Sequence, residues 1–421
     1  MKDKFPKLDL DLFHYKLDNG LNVYLVPKNN VNNIYATFTT KYGSVDTSFM
    51  KNGEKITVPN GIAHFLEHKM FESEDDIDPF TIFDQNGASS NAATSNYKTT
   101  YLFAGPNNFE ENLNCLLDFV QKPYFTDNNV EKEKGIIIQE IMMCNDDIER
   151  VGYNKTLYNS FINNPIRIPV IGNVKSVNSI TKDDLYKCYE AFYKPCNMFL
   201  VITGNFDHKK AIEIIKNNQK NKNHEKNNVE KIKYNEPDKV YKKKIIEYMN
   251  VSIPKLYYSI KINIKNINLP RRKIILYLSI FLDSLFGSVS NFEEEIIKEK
   301  ITNDGINFFI SKTDTHLLIT FESETRKPSK LIKKINTCLN NNITIDDFNR
   351  KKKVMLSSQI YMSDNIFRIN NKIVEDILED GKVITDVYKM FDELKYDEFL
   401  DLLNKINYNN TCEVLIKPKK N

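Results

Sequence analysis

The chain has 421 residues, of which 41% are hydrophobic and 27% charged; this balance suits about two to three globular domains and excludes a disordered chain, a collagen or a coiled-coil rod. With 59 basic against 56 acidic residues the net charge is only +3, which gives no argument for nucleic acid or a membrane as partner. No apolar run approaches the ~20 residues of a spanning helix, the opening MKDKFPKLDLDLFHYK lacks the continuous apolar stretch of a signal peptide, and six cysteines without a CxxC pair read as reduced thiols of a cytoplasmic protein.

In chain order, the apolar patterns predict strands at 21–27 and 34–43 and a helix at 61–72. An alternating pair follows near 88–95 and 98–104, then a helix at 107–121, a long helical region from Asn128, a helix at 181–193 and a strand at 198–204. Residues 216–228, KNNQKNKNHEKNN, contain no apolar side chain and cannot bury enough surface to offset the entropy of ordering. A polar linker over 216–240 therefore separates a first domain, 1–215, from a second, 241–421. The second repeats the pattern, with strands at 244–250 and 256–264, an apolar helix at 271–286 and strands near 305–311 and 316–322. A helix at 328–339, a long helix at 345–379, a helix at 395–406 and a strand at 412–418 complete it. Order, type and spacing match element by element, which predicts an α+β fold of two homologous halves, mostly antiparallel sheet packed with helices, arisen by duplication.

The segment GIAHFLEHKMFE (61–72) carries chemistry. His64 and His68 stand at i and i+4, so a helix projects both imidazoles from one face, where they can reach one metal ion. Glu67 precedes the second histidine and can lean over that metal without ligating it, which gives the order H-x-x-E-H. With 6 histidines and 56 acidic residues in the chain, chance accounts for only about 0.01 such matches. Asn60 or Thr57 is the expected helix cap. A catalytic zinc site takes three protein ligands and a water, so a third ligand must come from elsewhere. EKEKGIIIQEIMM (131–143) has a helical pattern with Ile136, Ile137 and Ile141 on its apolar side, and Glu133 and Glu140 seven residues apart on one face. A carboxylate on a buried face needs a charged partner. Glu140 is therefore assigned as the third ligand and Glu133 as the carboxylate that orients a ligand histidine. His14, His208, His224 and His316 have no ligand partner at metal spacing.

These segments resemble the insulinase (pitrilysin) family of zinc metallopeptidases, in the half-size subgroup typified by mitochondrial and bacterial processing peptidases. The likeness rests on LDNGLNVYLVPK (17–28), KYGSVDT (41–47), GIAHFLEHKMFES (61–73), GASSNAATSNYKTTYLF (87–103), EKEKGIIIQEI (131–141) and MFLVITGNFD (198–207). It is dense over the first 210 residues and weaker beyond, mainly KPSKLIKKI (327–335). The resemblance implies two halves facing one another around a chamber, and one Zn2+ per chain held by His64, His68 and Glu140, with Glu67 as general base. It also implies a sheet edge beside the metal, here Ser90, Asn91 and Ala92, that pairs with the substrate backbone. The activity implied is zinc-dependent hydrolysis of peptides or unfolded leader segments added to that edge as a strand. The second reading is a catalytically impaired peptide-binding or structural subunit of a paired peptidase complex.

The family's second half also carries an Arg and a Tyr that bind substrate and stabilise the oxyanion. The corresponding segment is FGSVSNFEEEIIKEKITNDGINFF (286–309), with Asn291 at the Arg position and Thr302 to Asp304 at the Tyr position. The expectation is therefore a heterodimer with a sibling subunit that supplies the pair, with a homodimer as the other arrangement.

Overall fold

The protein is described by a computed structural model over residues 2–6, 8–75, 77–222 and 228–419. It divides into two compact units, each assembled from three stretches of chain. The first comprises Met1–Ile141, Ile168–Lys233 and Gln359–Val387; the second comprises Met142–Arg167, Tyr234–Ser358 and Tyr388–Asn421.

The first unit is built on a seven-stranded sheet. Its strands are β1 (Lys2–Phe5), β2 (Leu10–Lys16), β3 (Asn22–Pro27), β4 (Ile34–Thr40), β7 (Ser89–Thr94), β8 (Thr99–Gly105) and β9 (Met198–Gly204), in the order β1-β2-β3-β9-β4-β8-β7. Only β3 and β9 pair in parallel. A smaller sheet joins β5 (Ser48–Lys51), β6 (Glu54–Thr57) and β10 (Val229–Lys231). The central strands β4 and β9 are buried at every residue, which explains why they read as continuous apolar and β-branched runs rather than alternating ones. β7 lies at the sheet's edge, and its burial alternates along the strand.

The second unit holds a five-stranded sheet of β11 (Lys244–Met249), β12 (Lys255–Asn263), β13 (Asn307–Lys312), β14 (His316–Glu324) and β15 (Thr411–Pro418), in the order β11-β15-β12-β14-β13. Its first contact is parallel and the other three are antiparallel. The run β3-β9-β4-β8-β7 of the first unit has this same sequence of one parallel and three antiparallel contacts. The duplication inferred from spacing is thus reproduced in topology. The first unit's large sheet differs by its two extra strands, β1 and β2, and the unit adds the small sheet of β5, β6 and β10.

Each unit also takes an equivalent helix from the other half of the sequence. The helix Ile366–Asp380 packs on β9 and β4 of the first unit, while Ile148–Ser160 packs on β15 and β12 of the second. In the first unit Asn370 is fully buried. Its amide accepts from Thr37 Oγ1 at 2.7 Å and donates to the carbonyls of Tyr35 and Val201. These bonds satisfy a polar group whose burial alone would cost about 1–3 kcal/mol.

Three expectations change. The single helix at 345–379 is two helices, Ile345–Met362 and Ile366–Asp380, because Asn365 caps the second by accepting from the amides of Phe367 and Arg368. The segment 216–240 is not a bare linker between continuous domains. The helix His208–Gln219 runs into it, and buried Gln219 accepts from Asn19 at 2.9 Å. Farther on, buried Glu236 accepts from the amides of Ile162, Asn163 and Asn164 and pairs with buried Lys261 at 2.5 Å. Residues 223–227 lie outside the described residues, His224 among them. Finally, the strand expected over 34–43 stops at Thr40.

Candidate metal centre and active site

The short helix α1 (Ile62–Lys69) is placed by its apolar residues Ile62, Ala63, Phe65 and Leu66, all buried. Neither Asn60 nor Thr57 caps it. The cap position is Gly61, at φ +89°, with no side-chain cap bond. Glycine is required there twice over: the left-handed conformation disfavours a side chain, and a Cβ would lie 2.5 Å from the Ile171 carbonyl oxygen.

The carboxylate expected as third ligand is carried by the long helix Asp127–Asp146. Its buried stripe is Val130, Glu133, Ile137 and Ile141. Ile136, expected on this side, is instead 50% exposed, because successive residues point about 100° apart and Ile137 takes the inward position. Glu133 and Glu140, two turns apart, both reach α1. His64 Nε2 and His68 Nε2 each lie 3.6 Å from Glu140 Oε2, and the imidazole centroids are 4.6 Å apart. His68 Nδ1 donates to Glu133 Oε1 at 2.9 Å, which leaves the lone pair of that ring on Nε2, facing Glu140. His64, His68 and Glu140 are the one group of three or more such residues among the described residues that could hold a metal.

The donor set fits zinc. Two ligands held at ~2.0–2.1 Å with tetrahedral angles stand about 3.4 Å apart, close to the two 3.6 Å separations. Two neutral imidazoles and one carboxylate, all half-buried, are ligands that zinc accepts.

Glu67 is buried, and its Oε2 accepts a hydrogen bond from Thr94 Oγ1 at 2.5 Å. Burial raises its pKa, with the charge of Glu140 adding to the effect and the Thr94 hydrogen bond and His68 opposing it. Burial works to lower the His68 pKa, but the hydrogen bond and charge of Glu133, with Glu67 and Glu140, carry it upward. Fully buried Tyr101 of β8 and buried Tyr193 have their hydroxyls 2.8 Å apart.

Ser90, Asn91 and Ala92 sit on edge strand β7, and the Asn91 side chain accepts from the Ala92 amide at 2.8 Å. Ser90, Ala92 and Thr94 are the half-buried positions of this alternating strand. The period of two therefore aligns Thr94 with Ser90 and Ala92, a signal in the sequence that could have found it. His14 stacks on Tyr24 and His208 on Phe13, while His316 is buried in the second unit.

Fold and site together define an α+β protein in which two histidines of an H-x-x-E-H helix and a carboxylate of a second helix form a candidate metal centre. Residues 57–173 match the profile of Insulinase (Peptidase family M16), and residues 179–354 match that of Peptidase M16 inactive domain. A crystal structure of an M16-like peptidase from Alicyclobacillus acidocaldarius superposes with a TM-score of 0.92 at 31% identity, covering 99% of this chain and 100% of that one. The chain therefore belongs to the insulinase family, peptidase family M16. Over 218 residues it is 50% identical to the uncharacterized zinc protease YmfH of Bacillus subtilis, which is 51% of each chain. Over 161 residues it is 27% identical to the probable mitochondrial-processing peptidase subunit beta of Arabidopsis thaliana, which is 37% of this chain and 30% of that one. These matches span no more than about half of either relative's length.

Proposed function

We propose that the chain is a zinc metalloendopeptidase that hydrolyses peptides or unfolded segments added to the edge of β7. The observation that carries the reading is the convergence of His64, His68 and Glu140 on one point, with Glu67 buried beside them. Bound zinc would supply Lewis acidity at the scissile carbonyl and lower the pKa of the attacking water. Glu67 takes the proton from that water and returns it to the leaving amine. Thr94 holds one carboxylate oxygen of Glu67, which leaves the other for proton transfer. Glu133 fixes the ring of His68. The substrate backbone pairs with Ser90, Asn91 and Ala92, so register is set by main-chain hydrogen bonds rather than by side-chain selectivity.

A second component is part of the proposal. Asn291 opens a short helix capped by Ser290, and the hydroxyl of buried Thr302 is spent on the Gly305 carbonyl. Neither is an oxyanion donor of the kind the resemblance implies. Glu295 and Glu299 are ion-paired with Lys330 and Lys334. The tyrosines on β12 are also committed: Tyr257 donates to Glu149 and Tyr258 to Asn336. A sibling subunit would supply the donor. The relative named as a subunit beta is consistent with such pairing.

The test is metal content together with turnover. The purified chain should hold one zinc and, with its sibling, cleave a quenched peptide. Glu67→Gln should keep the metal and lose at least ~10²-fold in rate. A wild-type chain that binds no zinc, or a Glu67→Gln variant that loses it, overturns the assignment.

A further inference from the structure

Next to the ligand His68 stands a lysine with no exposed surface. Lys69 ends α1 and is 0% exposed. Its Nζ donates to the Asn129 carbonyl at 3.2 Å and pairs with Glu72. Asn129 lies in the first turn of the helix that carries Glu133 and Glu140, four residues before Glu133. This turn is itself tied into a closed box, since the Asn129 side chain accepts from the Thr126 amide and Thr126 Oγ1 accepts from the Asn129 amide. The same asparagine donates to the Tyr124 carbonyl. Lys69 therefore grips a rigid turn, one helical turn from the carboxylate that orients His68.

We propose that Lys69 is a positioning residue for the metal centre. It acts through the helix Asp127–Asp146 and sets the height and rotation at which that helix presents Glu133 and Glu140 to the two histidines. Two clasps then join the helices: His68 Nδ1 to Glu133 at 2.9 Å, and Lys69 Nζ to the Asn129 carbonyl at 3.2 Å. Stability alone gives no reason for the lysine. A buried ammonium is expensive to desolvate, and replacing a buried ion pair as a whole by apolar residues of similar volume is often neutral or stabilising, the cost of removing one partner being the buried charge left behind. Glu72 is partly exposed, so removing the ammonium does not strand a buried carboxylate. The direction of the Nζ–carbonyl bond is what an apolar side chain cannot reproduce. The inference rests on the metallopeptidase reading for the identity of the ion, but not for the clasp.

The test compares wild type, Lys69→Met, Glu133→Gln and the double variant. Zinc affinity is read by competition with a chelator of known affinity, and amide exchange over 127–134 is read in the metal-free protein. Lys69→Met should melt close to wild type, exchange faster in those turns and bind zinc ~10-fold or more weakly, the size of effect seen when groups supporting metal ligands are lost. The losses from Lys69→Met and Glu133→Gln should be less than additive, because both act on the placement of one helix. Unchanged affinity, unchanged exchange or full additivity overturns the proposal. Should Lys69→Met fail to fold, Glu72→Gln takes its place. It loosens the ammonium without opening a cavity and should weaken zinc in the same direction; wild-type affinity in that variant overturns the proposal. If the wild-type chain holds no zinc, the metallopeptidase reading falls, while the exchange measurement still decides the clasp.

Discussion

Thr94 Oγ1 donates to Glu67 Oε2 at 2.5 Å, from the last residue of edge strand β7 to the acidic residue of the H-x-x-E-H helix. The bond ties the strand proposed to take the substrate to the group proposed to move its proton. A hydroxyl has a single proton to give. Thr94 gives it to Glu67, while its neighbour Thr99, 3.4 Å away, donates to the Tyr42 carbonyl. Thr94→Val removes this donor from Glu67 Oε2 and leaves a buried acceptor unmet, an effect of about 1–3 kcal/mol. We expect kcat to fall about ten-fold or more with KM and zinc content little changed, and Thr94→Ser to restore most of it. An equal loss in the serine variant would show that the methyl group, not the bond, matters.

Glu140→Ala leaves two imidazoles, which under-coordinate a tetrahedral ion. Zinc affinity should drop by orders of magnitude, as measured by metal content after dialysis against a weak chelator. The fold should survive, because Glu140 is only half-buried, its side chain 34% exposed. Full zinc occupancy with normal turnover would remove Glu140 from the site and turn attention to Glu133. Conversely, treating the wild type with a strong chelator should abolish cleavage, and added Zn2+ should restore it.

The helix Ile148–Ser160 meets β12 at Gly152, where a Cβ would lie 2.1 Å from Tyr257 Cε2. The ring is fully buried, and the Tyr257 hydroxyl is held by Glu149 on the same helix. It has nowhere to withdraw. Overpacking of this kind costs about 1–3 kcal/mol or more. Gly152→Ala should therefore lower the thermal midpoint by several degrees or reduce soluble yield. Gly135→Ala serves as the control, because a Cβ there would meet nothing within 4 Å. A Gly152→Ala protein that melts with the wild type would mean that helix and strand are less closely apposed.

The histidine pair is legible in the sequence because a four-residue spacing on a helix has one geometric meaning, and His64 and His68 do share a face. Glu140 is reachable because heptad spacing from Glu133 keeps both carboxylates on one side of the helix. Ile136 defeats the pattern because three consecutive isoleucines cannot all point inward, and periodicity alone does not say which turns out. The helix His208–Gln219 is partly hidden by the asparagines and lysines at its end, although Gln219 is buried through its bond to Asn19. The exchange of Ile148–Ser160 and Ile366–Asp380 between halves is invisible for a different reason. Amphipathicity states that a helix buries one face, but not which sheet receives it. Thr94 and Lys69 escape notice because a threonine in a strand and a lysine ending a helix are ordinary residues until their partners are known.

The last prediction is that the chain works with a partner. It contains a candidate metal centre but, at the positions where the resemblance places an Arg and a Tyr, it has Asn291 and the Thr302 turn. Without a preorganised donor at the developing oxyanion, a loss of roughly 10²–10³ in kcat is expected. A second copy of the same chain cannot restore groups that neither copy encodes. The hydroxyls of Tyr257 and Tyr258 are already committed to Glu149 and Asn336, and His316 is fully buried. The purified chain, loaded with Zn2+, should therefore cleave a panel of unfolded peptides feebly. Adding a sibling subunit that bears an Arg and Tyr in the equivalent segment should raise kcat by about two to three orders of magnitude, and replacing that Arg by Ala in the sibling should remove most of the gain. Vigorous cleavage by the chain alone, unaffected by any partner, would refute the pairing and require an oxyanion donor from within this sequence.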